Sequence, residues 1–145
     1  MEKTYENNLF FVCSLIEYIA RKTKNTKKYI VQKLGKDKIN KIYDLAEVYH
    51  SENIEKVTDE LIKEFNIDEG SYVLNIKNGK PTFWELGRIY QRLIIKQDKN
   101  PTVFIDNLIK LFSSFIILKL DNYESSLYYE NSDYLYECFL KGKIL

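Results

Sequence analysis

In the stretch GRIYQR, Arg88 and Arg92 stand four positions apart. On a helix that spacing puts both guanidinium groups on one face, a geometry able to hold a carboxylate or a phosphate. Pairing inside the chain, with Glu85 or an acid of the C-terminal tail, competes for the same arginines and is the favoured reading. A weaker reading joins them with Tyr90 in an enzyme that acts on a phosphorylated or nucleotide ligand.

Little else has catalytic spacing. His50 is the only histidine, which leaves no choice of base for a nucleophilic triad. At the end of a predicted helix it serves better as a cap for carbonyls, where the dipole favours positive charge. Asp59 and Glu60, and Glu64 with Asp68, fall on the polar face of a helix with no apolar pocket to shift them, so they read as surface charges. Zinc and EF-hand spacings, a phosphate loop and a dinucleotide fingerprint are all missing from the sequence. No catalytic residue, metal or cofactor is expected, and the chain reads as a non-enzyme.

The segment RKTKNTKKYIVQKLGKDKINK carries nine basic residues and one acid between Arg21 and Lys41. Two short lysine-bearing helices suggest a helix-turn-helix, in which Lys22, Lys24, Lys27, Lys28, Lys36, Lys38 and Lys41 would meet phosphates. After the turn glycine, however, a recognition helix buries a residue about six positions on. Here that residue is Lys41, while the apolar ones are Ile39 and Ile42. A solvated lysine face is favoured, with a nucleic-acid-binding regulator as the alternative.

The tail NYESSLYYENSDYLYECF holds five of the twelve tyrosines. Tyr128 and Tyr129 are adjacent, so in extended or turn conformation they point apart and cannot both enter one core. Tyrosine offers a large contact area, little rotamer entropy to lose and a hydroxyl that can stay wet. Tyr123, Tyr128, Tyr129, Asn131, Asp133 and Tyr134, with Arg88 and Arg92, are the expected partner-binding residues. The competing reading is a loop that seals the second half.

These residues must be placed by helices. Leu9, Val12, Cys13, Ile16, Ile19 and Ala20 recur at three-and-four spacing and predict a helix over about 5–22. Thr26 caps a short second helix that ends at Gly35, Ile39 to Tyr49 form a third, and Ser51 caps a fourth. Residues 69–81 break the period as an extended linker with an Asn78-Gly79 turn. Beyond it, Thr82 and Glu85 make a capping box, Asn100-Pro101 restarts the chain, and a largely apolar helix reaches about Leu120. A last helix runs from about Asn131 to Gly142. The expected fold is all-α, six to seven helices in two sub-bundles, 1–68 and 82–145.

Composition agrees. Lys and Arg number 22 against 21 Asp and Glu, so net charge indicates neither nucleic acid nor membrane. The charge is unevenly spread, with nine acids and two lysines over 44–69, so a basic end and an acidic belt are expected. Cys13 and Cys138 read as small buried hydrophobes in a reducing cytoplasm. No apolar run approaches the ~20 residues of a membrane span, and the opening MEKTYENN does not look like a signal peptide. The wealth of Lys, Asn, Ile and Tyr suggests an AT-rich bacterial or phage source.

Taken in order, IEYIARKTKNTKKYIVQKL and IYDLAEVYHSENIEKVTDELI resemble a family of small bacterial helical proteins, a domain of unknown function seen beside ADP-ribosyltransferase-like toxins. ELGRIYQRLI, LFSSFIILKLDNYESSLYY and SDYLYECFLKG look like its companion segment. Tyr49-His50 stands where that pattern has Leu-His. The resemblance implies a non-enzymatic, antitoxin-like or phage-defence accessory protein that binds a partner protein, and it supplies no catalytic residues.

Overall fold

The computed structural model describes residues 2–74, 76, 80–122 and 126–145, without the side chains of residues 2, 3, 126 and 128. The fold is all-α. Eight α-helices run along the described chain: α1 (Glu2–Thr23), α2 (Lys27–Asp44), α3 (Ala46–His50), α4 (Ile54–Glu64), α5 (Phe83–Gln97), α6 (Phe104–Phe112), α7 (Phe115–Leu120) and α8 (Ser132–Lys141). Two 3₁₀ turns, Pro101–Val103 and Ser126–Tyr129, precede α6 and α8. The expected Asn78-Gly79 turn and Tyr123 lie outside the described residues.

Caps expected from the sequence start several helices. The Thr26 hydroxyl accepts from Tyr29 N at 3.2 Å, Thr82 and Glu85 form the reciprocal box of α5, and Asn131 accepts from Tyr134 N at 2.9 Å. Gly142, at φ 70, ends α8 in the left-handed conformation that glycine adopts without strain. Asn100 caps the 3₁₀ turn opened by Pro101.

At Gly35 (φ 78, ψ 160) the backbone leaves the helical region, as expected past the end of the second helix, and the third follows at once, so the two make the kinked element α2. Three other boundaries differ from expectation. The backbone turns again at Leu45, which separates α3. Asn53 rather than Ser51 caps α4, accepting from Glu55 N at 2.8 Å, because the Ser51 hydroxyl donates instead to the Val48 carbonyl. The long apolar helix breaks at Ser113 and Ser114, where Ser114 Oγ donates to the Leu111 carbonyl at 2.6 Å and competes with helical pairing.

The two expected halves meet in one hydrophobic cluster that draws on α1, α2, α4, α5, α6, α7 and α8. The most extensive helix pair is α1 against α5, which crosses the linker. That crossing is close because position 87 is glycine. A Cβ there would stand 2.0 Å from Ser14 Oγ and 3.0 Å from Ser14 Cα. Tyr90 and Phe112, both fully buried, meet edge to face at 5.1 Å beside this crossing. Cys13 and Cys138 are buried free thiols, and burial pushes the Cys13 thiol well above its ordinary range. No helix among the described residues is long and apolar enough to cross a membrane.

Candidate functional site

Three arrangements of polar side chains stand out: a buried charge cluster, a pair of open clefts that share Arg88, and the tyrosine-bearing surface before α8.

The cluster gathers residues from five parts of the chain. Lys27, only 2% exposed, places its Nζ 2.6 Å from Asp121 Oδ1 and 3.0 Å from Glu17 Oε1. Arg21 Nε donates to Glu17 Oε2 at 2.8 Å, and the Tyr90 hydroxyl donates to Glu17 Oε1 at 2.8 Å. The Tyr72 hydroxyl completes it, donating to Asp121 Oδ2 at 2.8 Å. Two carboxylates thus balance two cations, as a dry interior requires.

Tyr72 reaches that point because its segment is strapped to the α1–α2 turn. Gly70 N donates to Thr23 O at 2.7 Å, Tyr72 N to Lys24 O at 2.9 Å, and Asn25 Nδ2 to Asp68 O at 2.8 Å. A Cβ at position 70 would lie 2.4 Å from the Lys24 carbonyl, so the approach is open only to glycine.

The two carboxylates depart from their ordinary values in opposite directions. Burial alone would raise the Glu17 carboxyl, but the Lys27 ammonium and the Arg21 guanidinium outweigh it and hold the group at about 2. Burial dominates at Asp121, where Lys27 and the Tyr72 hydroxyl offset only part of the rise and the nearby Glu17 charge adds to it. The difference follows from the count of cations, two at Glu17 and one at Asp121. Burial works against the charge on Lys27, yet the two carboxylates raise its pKa. Burial, then the bond to Asp121, pushes the Tyr72 phenol up.

The sequence reading missed this cluster. It set Lys27 on a solvated basic face, and Lys27 is buried. Tyr90, grouped with Arg88 and Arg92 around a ligand, instead turns inward to Glu17 and is fully buried. One signal was there: Glu17 follows Leu9 and Cys13 at four-residue steps, in line with the buried stripe of α1.

The remaining lysines of 21–41 mostly meet acids. Lys22 pairs with Asp59 at 2.8 Å and Glu55 at 3.8 Å, Lys24 with Glu69 at 3.8 Å, Lys36 with Asp106 at 2.6 Å and Lys38 with Glu64 at 3.4 Å. The basic and acidic stretches therefore face each other across α1, α2 and α4. Lys28 and Lys41 are exposed.

Arg88 and Arg92 do share a face, on α5. The Arg88 guanidinium carbon lies over the Phe10 ring, 3.9 Å from its centroid, and its Nη1 donates to Gln91 Oε1 at 2.8 Å. Gln91, 3% exposed, is itself fixed through Nε2 to the Glu6 carbonyl at 2.7 Å. The expected pairing with Glu85 does not form: Glu85 closes the capping box. The tail acid Asp133 pairs with Lys96 instead. Arg88 borders two clefts, one of about 550 Å³ with Arg92, Lys99 and Ser132, the other of about 490 Å³ with Phe10, Phe11, Glu47 and His50. His50 stacks on Trp84 at 5.7 Å and 23° rather than capping carbonyls.

On the tail side, the Tyr129 ring is 78% exposed, and the Tyr128 ring is outside the described set. Leu118, Leu127, Tyr134 and Ile144 border a groove of about 390 Å³ between α7 and α8. Asn131 is committed to capping α8, and the Tyr134 hydroxyl donates to the Leu145 carbonyl. Set against protein-family models, curated proteins and solved structures, the chain matches none.

Proposed function

We propose that this chain acts by binding a partner protein, through the surface formed by α7, the Ser126–Tyr129 turn and α8, and that it works in the cytoplasm without catalysing a reaction itself. The observation that carries the reading is the company Tyr129 keeps. Its ring stands 78% exposed while Leu118 and Ile144, 51% and 43% exposed, border the adjoining groove. Aromatic and aliphatic groups left together at a surface, rimmed by Glu130 and Lys119, have the makeup of an association patch. Glu17 and Asp121, the carboxylates displaced from their ordinary values, are buried and paired inside the molecule rather than set in a cleft.

The resemblance to proteins found beside ADP-ribosyltransferase-like toxins makes the partner a toxin and this chain its antitoxin-like neutralising half. Co-expression with the products of neighbouring genes tests this. The expected result is a stable complex on gel filtration that Tyr129→Ala weakens while leaving the melting temperature nearly unchanged. A chain that elutes alone in the presence of every neighbouring gene product overturns it.

A further inference from the structure

We propose that the two clefts meeting at Arg88 form a single binding site for a nucleotide unit, with the base in the aromatic cleft and the phosphates in the basic one. This goes beyond the protein-binding reading and uses a different face of the molecule.

Arg88 is the joint between the clefts and is held in place from two sides. The Phe10 ring lies under its guanidinium carbon at 3.9 Å, and the buried Gln91, held by the Glu6 carbonyl, takes one of its N–H groups at 2.8 Å. A guanidinium stacked on a ring and pinned at one nitrogen keeps its other donors in a fixed fork. That is the form in which arginine recognises a phosphate, and little side-chain entropy remains to be lost on binding. A surface arginine with no task has no need of a buried glutamine to aim it.

Part of the charge on the phosphate side is unspent, Lys96 of the same cleft being paired with Asp133. Among the described residues neither Arg88, Arg92 nor Lys99 has a carboxylate within ion-pair distance. Arg88 and Arg92 follow each other along α5 at about 6 Å of axial rise, a separation that lets them share adjacent phosphates. Glu6 is the one carboxylate lining that cleft.

On the other side of Arg88 the lining changes character. Phe10, His50 and buried Phe11 line it, in an aromatic group in which His50 packs on Phe11 at 5.2 Å and on Trp84 at 5.7 Å. Flat apolar surfaces of this kind accept a base by stacking, and a cationic groove beside an aromatic platform is the arrangement that nucleotide chains use. Asn7, Asn8 and Glu47 supply hydrogen-bond groups for the base edge or the ribose hydroxyls. Volumes of about 490 and 550 Å³ each fall within the usual size of small-molecule pockets.

Trp84, the only tryptophan, stacks on His50 and so reports on the aromatic cleft directly. ATP and GTP titrated into the purified chain at low salt should change its fluorescence, and calorimetry should give matching affinities. Adenosine alone and tripolyphosphate alone should each bind at least about tenfold more weakly than ATP, since each fills one cleft. Arg88→Ala should weaken ATP about tenfold or more. If that variant melts early, Arg92→Ala, at an exposed position, should still weaken ATP several-fold. A short single-stranded oligonucleotide that binds more tightly than ATP makes the natural source a strand, and equal or weaker binding makes it a free nucleotide. No response to millimolar nucleotide overturns the proposal. So does tripolyphosphate or polyglutamate binding as tightly as ATP, which would reduce the site to bare charge.

Discussion

Replacing Lys27 with methionine should be among the most damaging single changes in this protein. The side chain is 1% exposed and its ammonium touches both Glu17 and Asp121. Methionine fills nearly the same volume, so the loss is almost purely of charge. Glu17 keeps Arg21 and the Tyr90 hydroxyl, but Asp121 is left with the Tyr72 phenol alone. Removing one member of a buried ion pair costs ~3 to 5 kcal/mol, because the other charge stays in the dry interior without compensation. A domain of this size holds ~5 to 15 kcal/mol in total, and each kcal/mol is worth roughly 3 to 5 °C, so the midpoint should fall by ~10 °C or more. Urea unfolding followed by circular dichroism measures it. The pH profile separates charge from packing. In the native protein Glu17, held at about 2 against an ordinary 4.5, contributes about 3 kcal/mol at neutral pH. That contribution is present above 4.5 and is lost as pH falls towards 2. In the variant the carboxyl pKa of Asp121 goes up further, so its folded state gains by taking a proton. Raised folded values give stability that is present at low pH and lost as pH rises, so the variant's deficit should shrink between pH 7 and pH 5. Asp121→Asn added to Lys27→Met should recover part of the loss at pH 7. A deficit below ~1 kcal/mol, or one that does not change with pH, would refute the assignment of the cluster's stability to these charges.

Tyr72→Phe removes the hydroxyl that donates to Asp121 and should cost ~1.5 to 3 kcal/mol, as bonds to charged acceptors do; chemical denaturation compared with Tyr129→Phe, whose ring is at the surface, checks it. Gly87→Ala raises helix propensity by ~1 kcal/mol but drives a methyl to 3.0 Å from Ser14 Cα. Overpacking at ~1 to 3 kcal/mol or more should win, and a variant as stable as the parent would mean that α1 and α5 part easily. Thr82→Ala opens the capping box of α5 and should lower stability by about 1 kcal/mol, measured by thermal melts. Cys13 and Cys138 should react with a thiol reagent only under denaturing conditions, since both are buried; rapid labelling of the native chain would contradict that.

The legible part of the fold was the part decided locally. Thr26, Thr82 with Glu85, Asn131 and Gly142 act within one helical turn of themselves, so a sequence read in isolation locates their helix ends. Where two local signals compete, the sequence is silent about the winner. Ser51 and Asn53 can both cap α4, and Asn53 prevails because the Ser51 hydroxyl finds the Val48 carbonyl first. Gly35 reads as a stop and its backbone does leave the helical region, but that the next helix follows without a loop, making one kinked element, is not written locally. The pairing of α1 with α5 was not legible, because nothing local distinguishes Gly87 as a contact point until Ser14 is known to face it.

The candidate sites divide the same way. Arg88 and Arg92 share a face because helix geometry demands it, and that much needs no tertiary information. Gln91, which aims Arg88, lies one place past Tyr90 and carries no mark of its role until Glu6, 85 positions away, offers a carbonyl. The charge cluster is the extreme case, with Lys27 and Asp121 separated by 94 positions. A lysine at the first position of α2 even opposes the helix dipole, so local reasoning sends it to solvent. The two buried carboxylates outweigh that preference, and they bring α1, α2, the segment at Tyr72, α5 and the end of α7 to one point. Five polar contacts of 2.6 to 3.0 Å tie these elements together, and one of them places Tyr72, whose described neighbours over 67–74 form no helix or strand.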